Sequence, residues 1–271
     1  MRSDGIGPQD GQAAKERYRE MRKYLMLTMA LAALIAVSVA GIATGANNKP
    51  VTVEAGNLVF TFNGGFSPTK LPKKKLAPIS LTASGKISTK DGTHPPALKE
   101  TIVETDKNGA INVKGLPACK SGQLQSRDTK AAEAACKSAI IGTGQTTVEV
   151  QFPEQKPIDV NSKLLVVNGG FSGGTTTLYI HAYFSAPVTG AIVTTLKIKK
   201  VSNGRYGLKT IATIPKIAGG SGSVKTFNLT INKKGVLTAK CPDGKLQAKA
   251  TAIFSDGTKA SAGIIRTCTG T

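Results

Sequence analysis

Four cysteines are the residues of this 271-residue chain whose chemistry is easiest to specify. Cys119, Cys136, Cys241 and Cys268 all follow an uncharged apolar segment at residues 24–46. An even number of cysteines beyond an export segment is typical of disulfides formed in an oxidising compartment. We expect the local pairings Cys119–Cys136 and Cys241–Cys268, although four cysteines allow three connectivities. A zinc site is disfavoured, because the chain has no CxxC pair and the cysteine spacings are long.

Catalytic chemistry has few candidate residues. The two histidines are His94, in a proline-rich loop, and His181, between two tyrosines of a strand-like segment. The segment "GFSGG" at 170–174 matches the G-x-S-x-G pattern of serine hydrolases, but that motif needs a helix after the turn, and a threonine-rich strand follows here. We therefore predict no catalytic residue, no metal ligand and no cofactor. A hydrolase is the least favoured function, and acids clustered in a cleft around either histidine would revive it.

Strand alternation suggests one binding surface. In "TLYIHAYF", residues 177–184, one face is apolar and the other carries Tyr179, His181 and Tyr183. As a small exposed stripe, these three side chains are the candidate binding surface of the chain. The alternative is that this face packs against a second sheet or a loop.

Positive charge dominates the composition. Lysine and arginine number 36 against 16 acidic residues, and beyond residue 46 only Arg127, Arg205 and Arg266 are arginines. Specific nucleic-acid recognition draws on the planar fork of arginine, so we do not expect it here. Lysine suits diffuse, salt-sensitive attraction to polyanions, which outside a cell are anionic cell-envelope polymers or lipid headgroups. The alternative is that the lysines occupy solvent-facing strand positions and serve solubility alone.

Short alternating segments and frequent turns predict the fold class. Residues 58–271 are expected to form an all-β, antiparallel β-sandwich-type region with one short helical insert near residues 129–139, capped by Ser126 or Asp128. Two β units split near residues 145–155 are the alternative. The sequence "NGGFS" occurs at 63–67 and at 168–172, and we interpret it as one tight turn used twice, because the flanking residues differ.

Asp-Gly and Asn-Gly pairs mark further turns. We predict a hairpin around Asn108-Gly109 and a C-terminal meander of three strands that turns at "PDGK" and "SDGTK". This meander would bring the last two cysteines to the same end of the sheet.

The first 57 residues predict export. Residues 1–23 are a basic cytoplasmic region, and residues 24–46 are a signal peptide or a signal-anchor helix long enough to span a membrane. Residues 47–57 are expected to be a linker. The remainder would then be extracytoplasmic, either secreted or anchored to the plasma membrane by the helix.

Four segments resemble a family of secreted, β-rich proteins of high-GC soil actinobacteria. They are "FSPTKLPKKKLAPISLTASGKISTKDGTHPPALKE", "DKNGAINVKGLPAC", "IPKIAGGSGSVKTFNLTI" and "LTAKCPDGKLQAKATAIFSDGT". The resemblance covers most of residues 58–271 and implies export and a β-rich domain, but it brings no functional residues. From the expected export and the lysine-rich composition, we predict a non-enzymatic cell-envelope or secreted protein that binds anionic surface polymers through lysines. The alternative is a structural or adhesion-like module that binds a protein partner.

Overall fold

The computed structural model describes residues 43–45 and 49–271. The basic region expected at 1–23 and most of the signal or anchor helix expected at 24–46 lie outside these residues. Ala40–Thr271 forms one compact unit by its internal contacts. Within the described residues, no helix has the length and apolar character needed to cross a membrane.

The described residues form eighteen β-strands and one α-helix. The helix, α1, spans Thr129–Cys136, between the eighth and ninth strands. The strands are β1 (Ala43–Gly45), β2 (Val51–Ala55), β3 (Leu58–Ser67), β4 (Lys70–Leu71), β5 (Ala77–Pro78), β6 (Ser80–Thr89), β7 (Leu98–Asp106), β8 (Gly109–Ile111), β9 (Ile140–Val150), β10 (Ile158–Ser172), β11 (Thr175–Phe184), β12 (Gly190–Asn203), β13 (Tyr206–Thr213), β14 (Gly222–Ile231), β15 (Leu237–Ala239), β16 (Lys245–Phe254), β17 (Lys259–Thr267) and β18 (Thr269–Gly270).

Thirteen strands form one large sheet, in the order β1-β17-β16-β7-β13-β12-β11-β10-β9-β14-β6-β3-β2. All neighbours are antiparallel except β1, which runs parallel to β17. The sheet nearly closes on itself, because β17 also lies against β2 and β3. The expected β-rich, antiparallel class is confirmed. The thirteen strands form a single sheet, and its opposite flanks face each other across an interior. Strands on both sides of residues 145–155 belong to this sheet.

Two small sheets lie at one end of the large sheet. β5, β15 and β8 form one of them, and β4 pairs with β18 in the other. Both lie where β7 and β14 end and where β6 and β16 begin, which we call the capped end. We call the opposite end, where β7 begins and β9 ends, the far end. The backbone N–H of Lys240 donates to the Asn108 carbonyl at 3.0 Å, so this bond ties the ends of β15 and β7 together.

The two small sheets at the capped end, which we call the cap, explain why two of the three expected hairpins are wrong. The hairpin around residues 255–258 forms as predicted, between β16 and β17. At Asn108-Gly109 the chain instead leaves the large sheet, and β8 pairs with β15 rather than with β7. For the same reason β15 does not pair with β16. The expected linker at 47–57 is also wrong in part, because Val51–Ala55 forms β2.

The two "NGGFS" segments do not form tight turns. The first lies inside β3, and the second lies inside β10 at a bulge between Asn168 and Gly170. Each asparagine side chain accepts a hydrogen bond from a following backbone N–H: Asn63 from Gly64 at 2.9 Å, and Asn168 from Gly170 at 2.8 Å. Asparagine therefore stabilises local strand backbone in both copies, and only the second precedes a turn.

The helical insert and both disulfides agree with the sequence-based expectations. Asp128 caps α1, since its side chain accepts a hydrogen bond from the Ala131 N–H at 2.7 Å. Cys119 bonds to Cys136 across the insert, with their Cα atoms 5.7 Å apart. The second disulfide joins Cys241 to Cys268 at the capped end. The two bridges fit an oxidising compartment.

Candidate functional site

The interior of the large sheet holds a cavity of about 370 Å³. Inward-facing side chains of many strands line it, and the apolar face predicted for residues 177–184 is one of its walls. Representative lining residues from three neighbouring strands are Leu178, Ile180, Ala182, Phe184, Ile192, Thr194, Leu196, Ile198, Leu208, Thr210, Ala212 and Ile214. The cavity is closed at one end by the cap, since Ala110, Ile111 and Leu237 also line it.

Strand number and side-chain size together explain why the interior stays hollow. About eight strands closed into a ring leave room that side chains fill, and a larger ring leaves free space. Thirteen strands form this sheet, and the chain has no tryptophan and 5% aromatic residues. The alanines, threonines and branched aliphatic residues on the inward faces are too small to reach across. An apolar cavity of this kind holds water poorly and favours apolar guests.

Among the residues that the structure describes, ionisable side chains reach the cavity wall only at the capped end, where the lining includes Asp106 and Arg266. Arg266 on β17 is 5% exposed and bridges the gap where the sheet nearly closes. Its guanidinium donates to the Gly64 carbonyl at 2.5 Å and to the Asn63 side chain at 2.6 Å, both on β3. No carboxylate among the described residues lies within 4.0 Å of it, and burial lowers the pKa of Arg266. Arg266 therefore acts as a buried clamp between β17 and β3.

Asp106 anchors the other polar group of the capped end. It is 3% exposed, and its carboxylate accepts hydrogen bonds from Arg205 Nε at 2.6 Å and from the backbone N–H groups of Asn108 and Gln247. The other edge of the Arg205 guanidinium binds Asp243. Hydrogen bonds from Arg205 to Asp243 and Asp106 raise the pKa of Arg205, although burial opposes this. The network holds the β12–β13 turn against the cap.

Lysine is concentrated in the connections at the capped end, and we call this surface the lysine-rich end. Residues 68–79, 107–120 and 232–244 contain ten lysines and one acid, Asp243. The far-end connections, at 90–97, 151–157, 214–221 and 255–258, contain three lysines and three acids. The ten lysines are Lys70, Lys73, Lys74, Lys75, Lys107, Lys114, Lys120, Lys233, Lys234 and Lys240. Among these connections, positive charge is therefore concentrated at the capped end of the large sheet.

His94 lies in a polar cluster at the far end that sequence reasoning missed. Its Nδ1 lies 2.8 Å from Glu149 Oε1, and its Nε2 lies 3.0 Å from Ser223 Oγ. Lys225 Nζ donates to both Glu149 and Asp159. Burial would raise the pKa of Glu149, but the hydrogen bonds from Lys225 and His94 and the charge of Lys225 outweigh it and lower that pKa. His94 lies 55 positions from Glu149 and 129 positions from Ser223, so only the strand register could have revealed the cluster.

The cluster has the connectivity of a Ser–His–acid triad but not its hydrogen-bond directions. Ser223 is 1% exposed, and its hydroxyl donates to the Pro95 carbonyl at 2.6 Å. The hydroxyl can therefore only accept from His94 Nε2, whereas a general base must accept the proton of the serine. In this arrangement the cluster fastens the loop that carries His94 to β9 and β14.

The expected stripe of Tyr179, His181 and Tyr183 does not form a single exposed surface. His181 is fully buried, at 0% exposure, while both tyrosines are half-buried. The His181 Nε2 donates to the Arg127 carbonyl at 2.9 Å, and its Nδ1 has no partner among the described residues. Burial lowers the pKa of His181, although the Arg127 hydrogen bond opposes this. The helical insert covers this face. This agrees with the alternative stated above, in which the face packs against another part of the chain.

The described residues contain no group of three or more histidine, cysteine, aspartate or glutamate side chains placed to hold a metal ion. Comparison with protein-family models, with curated proteins and with solved structures gives no match. The resemblance to secreted actinobacterial proteins therefore stays a prediction.

Proposed function

We propose that this protein is an exported, non-enzymatic binding protein that holds an apolar small molecule inside its sheet. The single observation that carries the proposal is the cavity of about 370 Å³ with its nearly continuous aliphatic lining. A water molecule occupies about 30 Å³, so the cavity holds on the order of a dozen groups of that size. A single hydrocarbon or isoprenoid chain of about this many carbons is the class of ligand that fits.

Burial of the ligand chain supplies the affinity. Each buried methylene contributes about 0.8 kcal/mol, so about a dozen methylenes contribute roughly 10 kcal/mol before the cost of association is subtracted. The disulfides support an extracytoplasmic location, where such a molecule needs a carrier through water. The near closure of the sheet leaves little free strand edge, and this weakens the case for an adhesion-like module that pairs with a protein partner through its edge.

The test is a titration of the compact unit, residues 40–271, with a fluorescent apolar probe whose emission rises on leaving water. Thr194 lines the cavity, whereas its neighbour Thr195 points to the other face of β12. We expect Thr194→Phe to weaken probe binding by at least about tenfold, since the ring displaces two or more methylene-sized groups. Thr195→Phe is the matched control and should bind as the unaltered protein does.

Mass spectrometry under native conditions provides a second readout. Protein purified from cells should carry co-purifying apolar molecules, and Thr194→Phe should carry fewer or shorter ones than Thr195→Phe. Equal probe affinity and equal cargo in the two folded variants would refute the proposal.

An ester hydrolase is the second candidate, favoured by the Ser223–His94–Glu149 connectivity alone. Because the serine is buried and its proton is directed at Pro95, we expect no reaction with a serine-directed fluorophosphonate. The measurement is intact-mass analysis after incubation, with Ser223→Ala as the control. A mass increase in the unaltered protein that Ser223→Ala abolishes would establish the hydrolase and contradict the non-enzymatic part of the proposal.

A further inference from the structure

The lysine-rich end is a separate surface from the cavity, and its charge is not neutralised locally. None of its ten lysines lies within 4.0 Å of a carboxylate among the described residues. Its one acid, Asp243, is already bound by Arg205. The positive field at this end is therefore available to an external anion, while the equal numbers of lysines and acids in the far-end connections offset each other.

Apolar side chains stand among these lysines. Leu76 directly follows Lys73, Lys74 and Lys75 and is 51% exposed. At the same end Phe171 is 43% exposed, and Lys114 Nζ lies 4.5 Å from the centre of its ring. The far end also exposes apolar side chains, Ile158 and Val188, but without an excess of lysine. Only the lysine-rich end thus combines both features within the described residues.

We propose that the lysine-rich end docks on the surface of an anionic phospholipid bilayer. Lipid headgroups attract the lysines, at about 1 kcal/mol for each basic residue near the surface. The adjoining acyl region accepts Leu76 and Phe171, which a soluble polyanion in water cannot do. Lysines are sufficient for this role, because diffuse attraction needs charge and no bidentate geometry. This docking goes beyond ligand binding and does not depend on it.

The experiment measures partitioning of residues 40–271 onto vesicles by co-sedimentation. Vesicles with about one-third phosphatidylglycerol are compared with vesicles of phosphatidylcholine alone, from about 50 to 500 mM salt, a range over which exposed charges are increasingly screened. We expect binding to the anionic vesicles only, weakening as salt rises. The triple variant K73S/K74S/K75S should lose roughly one hundredfold in partitioning, since three headgroup attractions are removed.

A matched control removes the same charge elsewhere. Lys156, Lys216 and Lys259 lie at the far end, are exposed and form no ion pair with a described residue. K156S/K216S/K259S has the same net charge as the first variant and should bind anionic vesicles almost as the unaltered protein does. Equal losses in the two triple variants, or equal binding to neutral vesicles, would overturn the proposal.

Leu76→Ser distinguishes a bilayer from a soluble polyanion. It should weaken vesicle binding severalfold and leave binding to polyphosphate unchanged. If the unaltered protein binds polyphosphate as tightly as it binds vesicles, and Leu76→Ser affects neither, the surface recognises polyanions in general and the bilayer is excluded. Thr194→Phe should not alter vesicle binding, so failure of the ligand-binding proposal would not mimic failure of this one.

Discussion

Buried ionisable side chains in this protein hold strand ends and closures in place. Asp106 and Arg266 at the capped end, and Glu149 at the far end, each bind backbone or side-chain groups from other elements. Burying charge is costly, and the cost is offset only where every partner is present. Single substitutions at these positions should therefore have larger effects than their hydrogen-bond counts suggest.

Asp106→Asn should destabilise the fold strongly. The substitution keeps the shape but removes the charge that three donors share, and it leaves Arg205 paired with Asp243 alone. We expect the free energy of unfolding to fall by about 2–4 kcal/mol in urea titrations. Asp243→Asn is the control, because the Asp243 side chain is 40% exposed and its substitution should cost less than about 1 kcal/mol. Equal effects would mean that burial is not what makes Asp106 important.

Glu149 should give the protein a specific sensitivity to acid. Its pKa in the folded state lies below the ordinary value of 4.5, so the carboxylate adds stability that is complete above pH 4.5. That contribution is lost as the pH falls through the lower folded-state pKa. Glu149→Gln should reduce the slope of unfolding free energy against pH below 4.5 by up to about 1.4 kcal/mol per pH unit. Urea titrations between pH 3 and 7 measure it, and an unchanged slope would contradict the assignment.

At the scale of elements, strand alternation and helix-capping residues can be predicted from the sequence, whereas close contacts between the backbones of neighbouring strands cannot. The strand at 177–184 and the Asp128 cap follow from local chemistry. β9, however, begins at Ile140. The start of this strand was not recognisable in the sequence, because Gly142 and Gly144 interrupt the alternation of apolar and polar residues. A Cβ at Gly144 would lie 2.1 Å from the Asn228 carbonyl oxygen on β14. Asn228 is 84 residues from Gly144 in the sequence, so no local pattern could show that this position requires glycine.

The same limit applies to the candidate site. Alternation predicts the apolar face of residues 177–184, but it does not show which element this face meets. Whether such faces meet or enclose a space depends on how many strands join the sheet. Likewise, the turn residues at Asn108-Gly109 marked a change of direction correctly but could not reveal that β8 leaves for the cap.

Removing the Cys119–Cys136 disulfide should loosen the helical insert and spare the sheet. The bridge closes a sequence separation of 17 residues, for which the chain-entropy treatment gives about 3 kcal/mol. We expect Cys119→Ser/Cys136→Ser to raise amide exchange in α1, while amides of β10–β12 stay protected. Cys241→Ser/Cys268→Ser should instead affect the capped end. Loss of protection throughout the sheet in the first variant would show that the insert is part of the global folding unit.

On the scale of the whole molecule, a sheet that nearly closes can enclose a cavity only if its last gap is held shut. Inter-strand pairing does this everywhere except between the two edge strands of the sheet, which are β2 and the short β1 that pairs with β17. There the packing of Val51 and Val53 with Ala260 and Ala262 supplies apolar contact, and Arg266 supplies the polar link. The gap should therefore be the least stable boundary of the cavity.

Arg266→Gln tests this directly. Glutamine is too short to reach both the Gly64 carbonyl and the Asn63 side chain, so the polar link across the gap is lost while the buried charge is also removed. Because the variant leaves no unpaired charge behind, we expect a moderate loss of about 1–3 kcal/mol in the free energy of unfolding. Amide exchange should accelerate in β2, β3 and β17 well before β10–β12, on the opposite flank. Exchange that rises equally in all strands would mean that the gap has no independent opening and that any ligand must enter the cavity elsewhere.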